Sequence, residues 1–238
     1  MMRLWLICFS FWISIVQAAA ATVSGVVQLS AGSRPPSEQT RSLEDIVVWL
    51  EPLDNTANLG DRPPHVRMLQ KDKMFHPHIL PILVGTAVEF PNADPIFHNA
   101  FSNYDGQLFD VALYPPGSSR TVVFRKPGVV RVFCNIHPSM AAIILVLKTV
   151  YYTKVASDRS YRIPNVPPGQ YALSFFDERA TGEQKTLLLT APVGVMEVNA
   201  PTLQISEAGY VTMAHKNKYG RNYPPEADSY GGVSGLPK

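Results

Sequence analysis

Cysteine is nearly absent from this chain. Its 238 residues include two, Cys8 and Cys134. Cys8 falls in a stretch with the features of a removable leader, so the exported chain keeps Cys134 alone and an internal disulfide is excluded. A single thiol in an oxidising compartment is a liability unless it is buried or bound to a metal. Charge is also sparse, at 17% of residues, with 21 Lys and Arg against 19 Asp and Glu. The basic residues are scattered rather than gathered in a stripe, which argues against a nucleic-acid partner. After the leader no run of eighteen apolar residues occurs, so no stable membrane insertion is expected. Helical apolar periodicity is missing as well. So are Ser/His/Asp elbows, phosphate-binding loops and carboxylate pairs, and the chain is not expected to be an enzyme.

The leader itself has three parts. Arg3 supplies a positive start, Leu4 to Val16 a short and mainly apolar core, and Gln17-Ala18-Ala19-Ala20-Ala21 the small residues a signal peptidase needs. Residues 1–21 therefore read as a cleavable signal that sends the protein to the periplasm or otherwise out of the cytoplasm.

The rest reads as all-β. Short runs rich in Val, Ile, Tyr and Phe lie between Pro and Gly punctuation. Strands are expected at Val23–Leu29, Ile46–Leu50, Phe75–Leu83, Ala87–Phe90, Leu108–Tyr114, Arg120–Phe124, Val129–Phe133 and Ala141–Leu147. Further on they are expected at Tyr161–Ile163, Gln170–Phe176, Lys185–Thr190 and Val193–Val198. Pro77 and Pro81 mark the third of these as an edge strand or a bulge. The density of strands between 75 and 147 is that of a β-sandwich. Gly32 to Thr40 and Asp54 to Pro64 read as loops, and the polar stretch from Glu207 onward as a mobile tail.

Chemistry concentrates in Phe133-Cys134-Asn135-Ile136-His137-Pro138-Ser139-Met140. A thiolate, an imidazole and a thioether lie within seven residues, on a tight connection between two strands. Thiolate and thioether are soft donors and imidazole is intermediate, a set that favours copper. A mononuclear blue-copper site needs one more imidazole. His98 follows the strand that ends at Phe90 and can meet Cys134 at one end of the sandwich. The expected metal ligands are thus His98, Cys134, His137 and Met140, with Met140 weak and axial, and the cofactor is one type 1 copper per chain.

From about Lys73 to Leu147 the chain resembles the cupredoxins. Val84-Gly85-Thr86-Ala87-Val88-Glu89-Phe90, the His98-Asn99 pair, Lys126-Pro127-Gly128 and the Cys-x-x-His-x-x-Met loop carry the likeness. The loop spacing, with Pro138 directly after His137, resembles that of amicyanin, and the segment order resembles exported bacterial proteins labelled as methylamine-utilisation proteins. This implies a Greek-key β-sandwich, electron transfer and transient redox partner proteins, with a monomer as the working state. It also implies a hydrogen-bonded link between the two ligand loops through Asn99 and Asn135. The flanks, Gly25-Val26-Val27 with Ile46-Val47-Val48-Trp49-Leu50 and Tyr161 to Tyr171, resemble carboxypeptidase-regulatory or transthyretin-like modules. The implied plan is a leader (1–21), the first strands of a flanking sandwich (22–64), a cupredoxin domain (65–150), the remaining flanking strands (151–206) and the tail (207–238).

Counting separates the rivals. A multicopper oxidase would show several His-x-His pairs, and the six histidines (His65, His76, His78, His98, His137 and His215) form one, His76-Pro77-His78. A binuclear centre would need two cysteines. The competing reading is a copper-handling protein, a periplasmic chaperone, store or sensor using the same residues. Such proteins expose Met-rich or His-rich runs, whereas Met68, Met74, Met140, Met196 and Met213 are dispersed. His76 and His78 are candidates for a second, weaker metal site, against the simpler role of surface strand residues. The imidazole edge of His137 is expected at the surface, ringed by Ile136, Pro138, Ala141, Pro95 and Ile96, with His98 deeper. Phe133 is expected to pack against the flanking domain.

Overall fold

Short β-branched and aromatic runs between turn residues can bury one face each only by pairing into sheets, and the protein is all-β. The computed structural model describes residues 20–30, 43–54, 60, 66–103, 106–182, 185–211 and 214–224. Almost all of the expected leader, both loops named above in large part, and the chain from 225 onward lie outside the described residues. Among the described residues no helix is long and apolar enough to cross a membrane.

Two sheets form the central sandwich. One is built from β10 (Ser119–Val123), β7 (Ala87–Pro91) and β3 (Val66–Arg67). The other runs β6 (Ile79–Leu83), β12 (Ala141–Leu147), β11 (Gly128–Phe133), β8 (Phe101–Ser102) and β9 (Phe109–Asp110). A small hairpin of β4 (Leu69–Lys71) and β5 (Met74–His76) lies beside them. Pro81 falls in β6, which is the edge strand of its sheet, where a missing N–H costs no ladder bond. Phe90, Phe124, Val130, Val132, Ala142, Ile144 and Val146 fill the core between the sheets, and Cys134 and Met140 belong to the same core.

Segments from both flanks pair with one another. β1 (Ala21–Ser30) runs antiparallel to β14 (Ser160–Val166) and parallel to β17 (Glu197–Asn199) and β18 (Leu203–Ser206). The second flanking sheet is β13 (Tyr152–Lys154), β2 (Val47–Pro52), β15 (Gly169–Phe176) and β16 (Leu187–Ala191). Val23, Val27, Val48, Leu50, Ile163, Leu173 and Phe175 share the core of this second sandwich. Gly25 has to lack a side chain because the Tyr161 ring occupies the place of a Cβ.

Period-two alternation explains how the sandwiches meet. On β12, Ala142, Ile144 and Val146 face the central core, while Ile143, Leu145 and Leu147 face the other way. That second face packs with Val47 of β2, Ile79 of β6 and Phe176 of β15. A strand buried on both faces must be apolar at every position, as Ala141–Leu147 is.

The expected strand Phe75–Leu83 is two strands, β5 and β6, parted at Pro77 and His78, and the one expected from Lys185 begins at Leu187. Two others are shorter than their apolar runs. Leu108–Tyr114 contributes only Phe109–Asp110 and a single bridge at Tyr114, because Ala112 takes a left-handed backbone (φ 59°) that ends the ladder. Val193–Val198 contributes only Glu197–Asn199, after a turn at Gly194 (φ 77°). The pairing of Leu203–Ser206 with β1 is an addition to the expected strands, since four residues of weak alternation carry little signal.

Leu145 belongs to the inter-sandwich face and is 3% exposed. Leu145→Ala should destabilise the protein by about 2–5 kcal/mol, read as a lower denaturant midpoint. A change under about 1 kcal/mol would mean that this face carries little of the stability.

Candidate metal centre

The two loops that carry the candidate ligands emerge at one end of the central sandwich. One follows β7 and is shaped by Asn92, which is buried. Its side chain accepts from the Asp94 N–H at 3.1 Å and donates to the Ile96 carbonyl at 2.8 Å. The loop then returns as an isolated antiparallel bridge between His98 and Tyr114, with N–H···O distances of 3.2 and 2.9 Å. Tyr114 is itself fixed, donating to the Phe90 carbonyl at 2.9 Å and accepting from Gln70 at 2.6 Å. The other loop joins β11 to β12. Its tightness comes from Cys134 N–H donating to the Met140 carbonyl and Met140 N–H donating to the His137 carbonyl, each at 3.2 Å.

These loops bring His98, Cys134 and His137 together. The two Nδ1 atoms stand 3.1 Å apart, and Cys134 Sγ lies 3.5 Å from His137 Nδ1 and 3.9 Å from His98 Nδ1. His98 and Cys134 are fully buried and His137 is 2% exposed. Among the described residues this is the group whose donor atoms could hold a metal ion. Two donors bound to one ion at about 2.0–2.3 Å can be no more than about 4.6 Å apart, and all three separations satisfy this. Met140 is fully buried in the same core as Cys134, at the head of β12.

Asp94 decides which face His98 presents. His98 Nε2–H donates to Asp94 Oδ2 at 2.7 Å, which leaves Nδ1 as the bare nitrogen directed at Cys134 and His137. Burial raises the Asp94 carboxyl, but the Lys73 N–H, the His98 side chain and the Asp72 N–H more than offset it, and its pKa is lowered overall. His98 titrates below the usual histidine range because burial disfavours its charged form, against the opposing pull of Asp94. This favours the neutral imidazole, the form a metal would need. Burial also raises the Cys134 thiol, although the N–H groups of Asn99, Ile136 and His137 act against this.

The expected link between the loops is present. Asn135 N–H donates to Asn99 Oδ1 at 2.6 Å, and Asn99 Nδ2 donates to Asp110 Oδ1 at 3.0 Å. His137 differs from expectation: it is buried, not edge-exposed. With only two residues between it and Cys134, its ring turns inward and packs edge-on against His98, with centroids 4.8 Å apart. His98 is the deeper of the two, as expected. Of the proposed apolar ring, Pro95 is exposed and Ile96, Ile136, Pro138 and Ala141 are half-buried, while the neighbouring Phe97 is 53% exposed.

Residues 214–224 also depart from a free tail. They pack against the ligand loop through His215, Lys218 and Tyr223. Phe133 is buried, and its ring partners are Phe101 of β8, with centroids 5.9 Å apart, and His215, on which it stacks at 4.1 Å, where packing against the flanking domain was expected. The sequence carries no local signal for the places of Asp94, Asp110, His215, Lys218 and Tyr223 around the site. Only Asp94, four residues before His98, stood close enough to a candidate ligand to be suspected. His76 is exposed on β5, whereas His78 lies between the sandwiches, 2.7 Å from Glu178 and with Nδ1 3.2 Å from the Ala141 carbonyl.

A histidine whose folded pKa is lowered binds fewer protons folded than unfolded in the window just below about 6.5. Stability therefore rises with pH across that window and is lost as pH falls through it. The lowered pKa values of His98 and His215 act in the same direction. The metal-free protein should show a falling urea midpoint as pH drops below about 6.5, with a shallower slope in His98→Asn. A midpoint that rises over this range would contradict the burial of neutral imidazoles.

No family model matches the chain. A curated relative, the methylamine utilization protein MauL of Methylorubrum extorquens, is 39% identical over 56 residues, which is 23% of this chain and 49% of that protein. The chain thus spans about half the length of the curated relative it matches. Solved structures similar to it include a purple cupredoxin from Nitrosopumilus maritimus (26% identity, TM-score 0.32, 34% of this chain and 99% of that one). The Cu-containing nitrite reductase NirK from Thermus scotoductus is another (30% identity, TM-score 0.35, 41% of this chain and 25% of that one). A single-site variant of amicyanin in its oxidised state is a third (16% identity, TM-score 0.34, 35% of this chain and 83% of that one). Over part of its length the chain is thus similar to a methylamine utilization protein and to solved cupredoxins, and its central β-sandwich carries His98, Cys134 and His137 at one end.

Proposed function

We propose that this chain is an exported mononuclear type 1 copper protein that carries electrons, in which His98, Cys134 and His137 would hold the ion and Met140 would be a weaker fourth ligand. One observation supports this above the others: two imidazole nitrogens and a thiol sulfur converge in a buried pocket at the end of a sandwich. The donor chemistry suits copper better than zinc, whose structural sites close with four Cys or His ligands. Bound copper would supply a one-electron couple between Cu(I) and Cu(II).

The chain's own residues do the rest. Asp94 fixes the His98 ring, and the Asn99–Asn135 bond holds the two loops at a constant separation. The amides of Asn99, Ile136 and His137 stabilise negative charge on Cys134. A rigid, buried donor set changes little between oxidation states, which is what rapid outer-sphere transfer requires. The exposed Phe97, with Pro95 and Ile96, offers a small apolar surface for brief docking of a redox partner. On this reading the chain is a carrier rather than an enzyme, works as a monomer and reaches the periplasm through its leader. Residues 22–64 and 151–206 form one flanking module into which 65–150 is inserted.

Addition of Cu(II) to the purified protein under oxidising conditions should produce an intense visible band from thiolate-to-copper charge transfer. Cys134→Ser should abolish it, and zinc should bind without colour. A wild-type protein that stays colourless would reject the carrier reading and favour a copper-handling role. Met140→Leu should keep the colour and raise the potential measured by voltammetry. Loss of all copper binding in that variant would assign Met140 a different role.

A further inference from the structure

The C-terminal segment makes contacts with the Cys134 loop that a passive tail would not. Tyr223 donates its hydroxyl to the carbonyl of Cys134 at 2.7 Å. The Cys134 N–H is already bonded to Met140, so both backbone groups of the thiol residue are held. Lys218 N–H donates to Asn135 Oδ1 at 3.0 Å, and Lys218 Nζ reaches Asp110 Oδ2 at 2.6 Å.

Joined to the bonds between the ligand loops, these contacts close a circuit. Asn135 N–H donates to Asn99, Asn99 donates to Asp110, Asp110 accepts from Lys218, and Lys218 N–H donates to Asn135. His98 precedes one member of this ring and Cys134 precedes another. A turn shapes the segment itself: Asn217 Oδ1 accepts from the N–H groups of Tyr219 and Arg221, both at 3.0 Å. His215 stacks on Phe133 and meets Tyr223 edge-on, with centroids 5.2 Å apart, so both ends of the segment rest on the same side of the loop.

We infer that residues 214–224 are a clasp belonging to the metal centre, in which Lys218 and Tyr223 are positioning residues that hold the two ligand loops together and slow release of the ion. This rests on the ligand assignment proposed above. The physical argument concerns what each ring bond ties together. The two bonds not made by Lys218 stay within the central sandwich, whereas the two made by Lys218 tie a segment far along the chain to the Cys134 loop through Asn135 and, by way of Asp110 on β9, to the Asn99 side chain of the His98 loop. The exposed ion pair alone contributes little. Its role is to keep Lys218 N–H in place for Asn135 and to orient Asp110 for Asn99. Removing it loosens both loops at once. Outer-shell partners of this kind alter metal affinity by about 10–100-fold.

The test uses the full chain and three variants: Tyr223→Phe, Lys218→Met and Lys218→Arg. Zinc-loaded and copper-loaded proteins are challenged with a chelator, and amide exchange at Asn135 is followed in the metal-free protein. Tyr223→Phe and Lys218→Met should release either metal about tenfold faster or more and lose protection at Asn135. The copper forms should also show a shifted visible band or potential, which loss of global stability alone would not produce. Lys218→Arg should restore wild-type behaviour. Unchanged release and an unchanged band in both Tyr223→Phe and Lys218→Met would overturn the clasp. A colourless wild type would reject the copper-carrier reading, and the zinc release rates and Asn135 protection would still decide the clasp.

Discussion

Three donor atoms face one another within 3.9 Å in a buried pocket, and the rest of the central sandwich is arranged to keep them there. Polar groups left unpaired in such a place are costly. The cost is met by giving partners to the groups behind the donors. Asp94 takes the far nitrogen of His98, and the Met140 carbonyl takes the Cys134 N–H. Asn92 and Tyr114 in turn fix the loop that carries Asp94 and His98. The site is a concentration of polar atoms held by a broad hydrogen-bond frame, and the frame reaches residues far from the donors.

The scaffold behind that frame is a strand with two buried faces. β12 begins at the residue after Met140 and runs between both sandwiches. Its central face fixes where Met140 and Cys134 enter the core. Its outer face packs, together with Ile79 of β6 and Val129 of β11, against Val47 of β2 and Phe176 of β15, so the flanking sandwich buttresses the strand that follows Met140. His78, bonded to the Ala141 carbonyl and to Glu178, adds a polar contact at the start of the same strand. Flanking strands and ligand loop are therefore mechanically connected.

Much of this is legible in the sequence, for identifiable reasons. The ligand loop is compact: Cys134, His137 and Met140 sit within seven residues, and softness of donor is a property of residue type. The link between Asn99 and Asn135 is one that the resemblance to cupredoxins implies, on residues that stand beside candidate ligands. Strands with clean alternation or continuous apolar runs lie close to their expected limits. Those interrupted by a left-handed residue, as at Ala112, or by a glycine turn, as at Gly194, are shorter than their patterns suggest, since hydrophobic pattern does not report backbone handedness.

What the sequence determined by itself was the chemistry: a thiol, two imidazoles and a thioether in a chain whose period-two patterning favours sheets. What only the tertiary structure decided was the environment of that chemistry. The inward turn of His137, the carboxylate behind His98 and the return of residues 214–224 onto the Cys134 loop all depend on contacts that local pattern does not encode. A polar segment without periodicity carries no local signal of where it docks. Its partners are single hydrogen bonds and one ring stack, and these exist only after the two sheets have placed Phe133, Cys134 and Asn135 at the end of the sandwich.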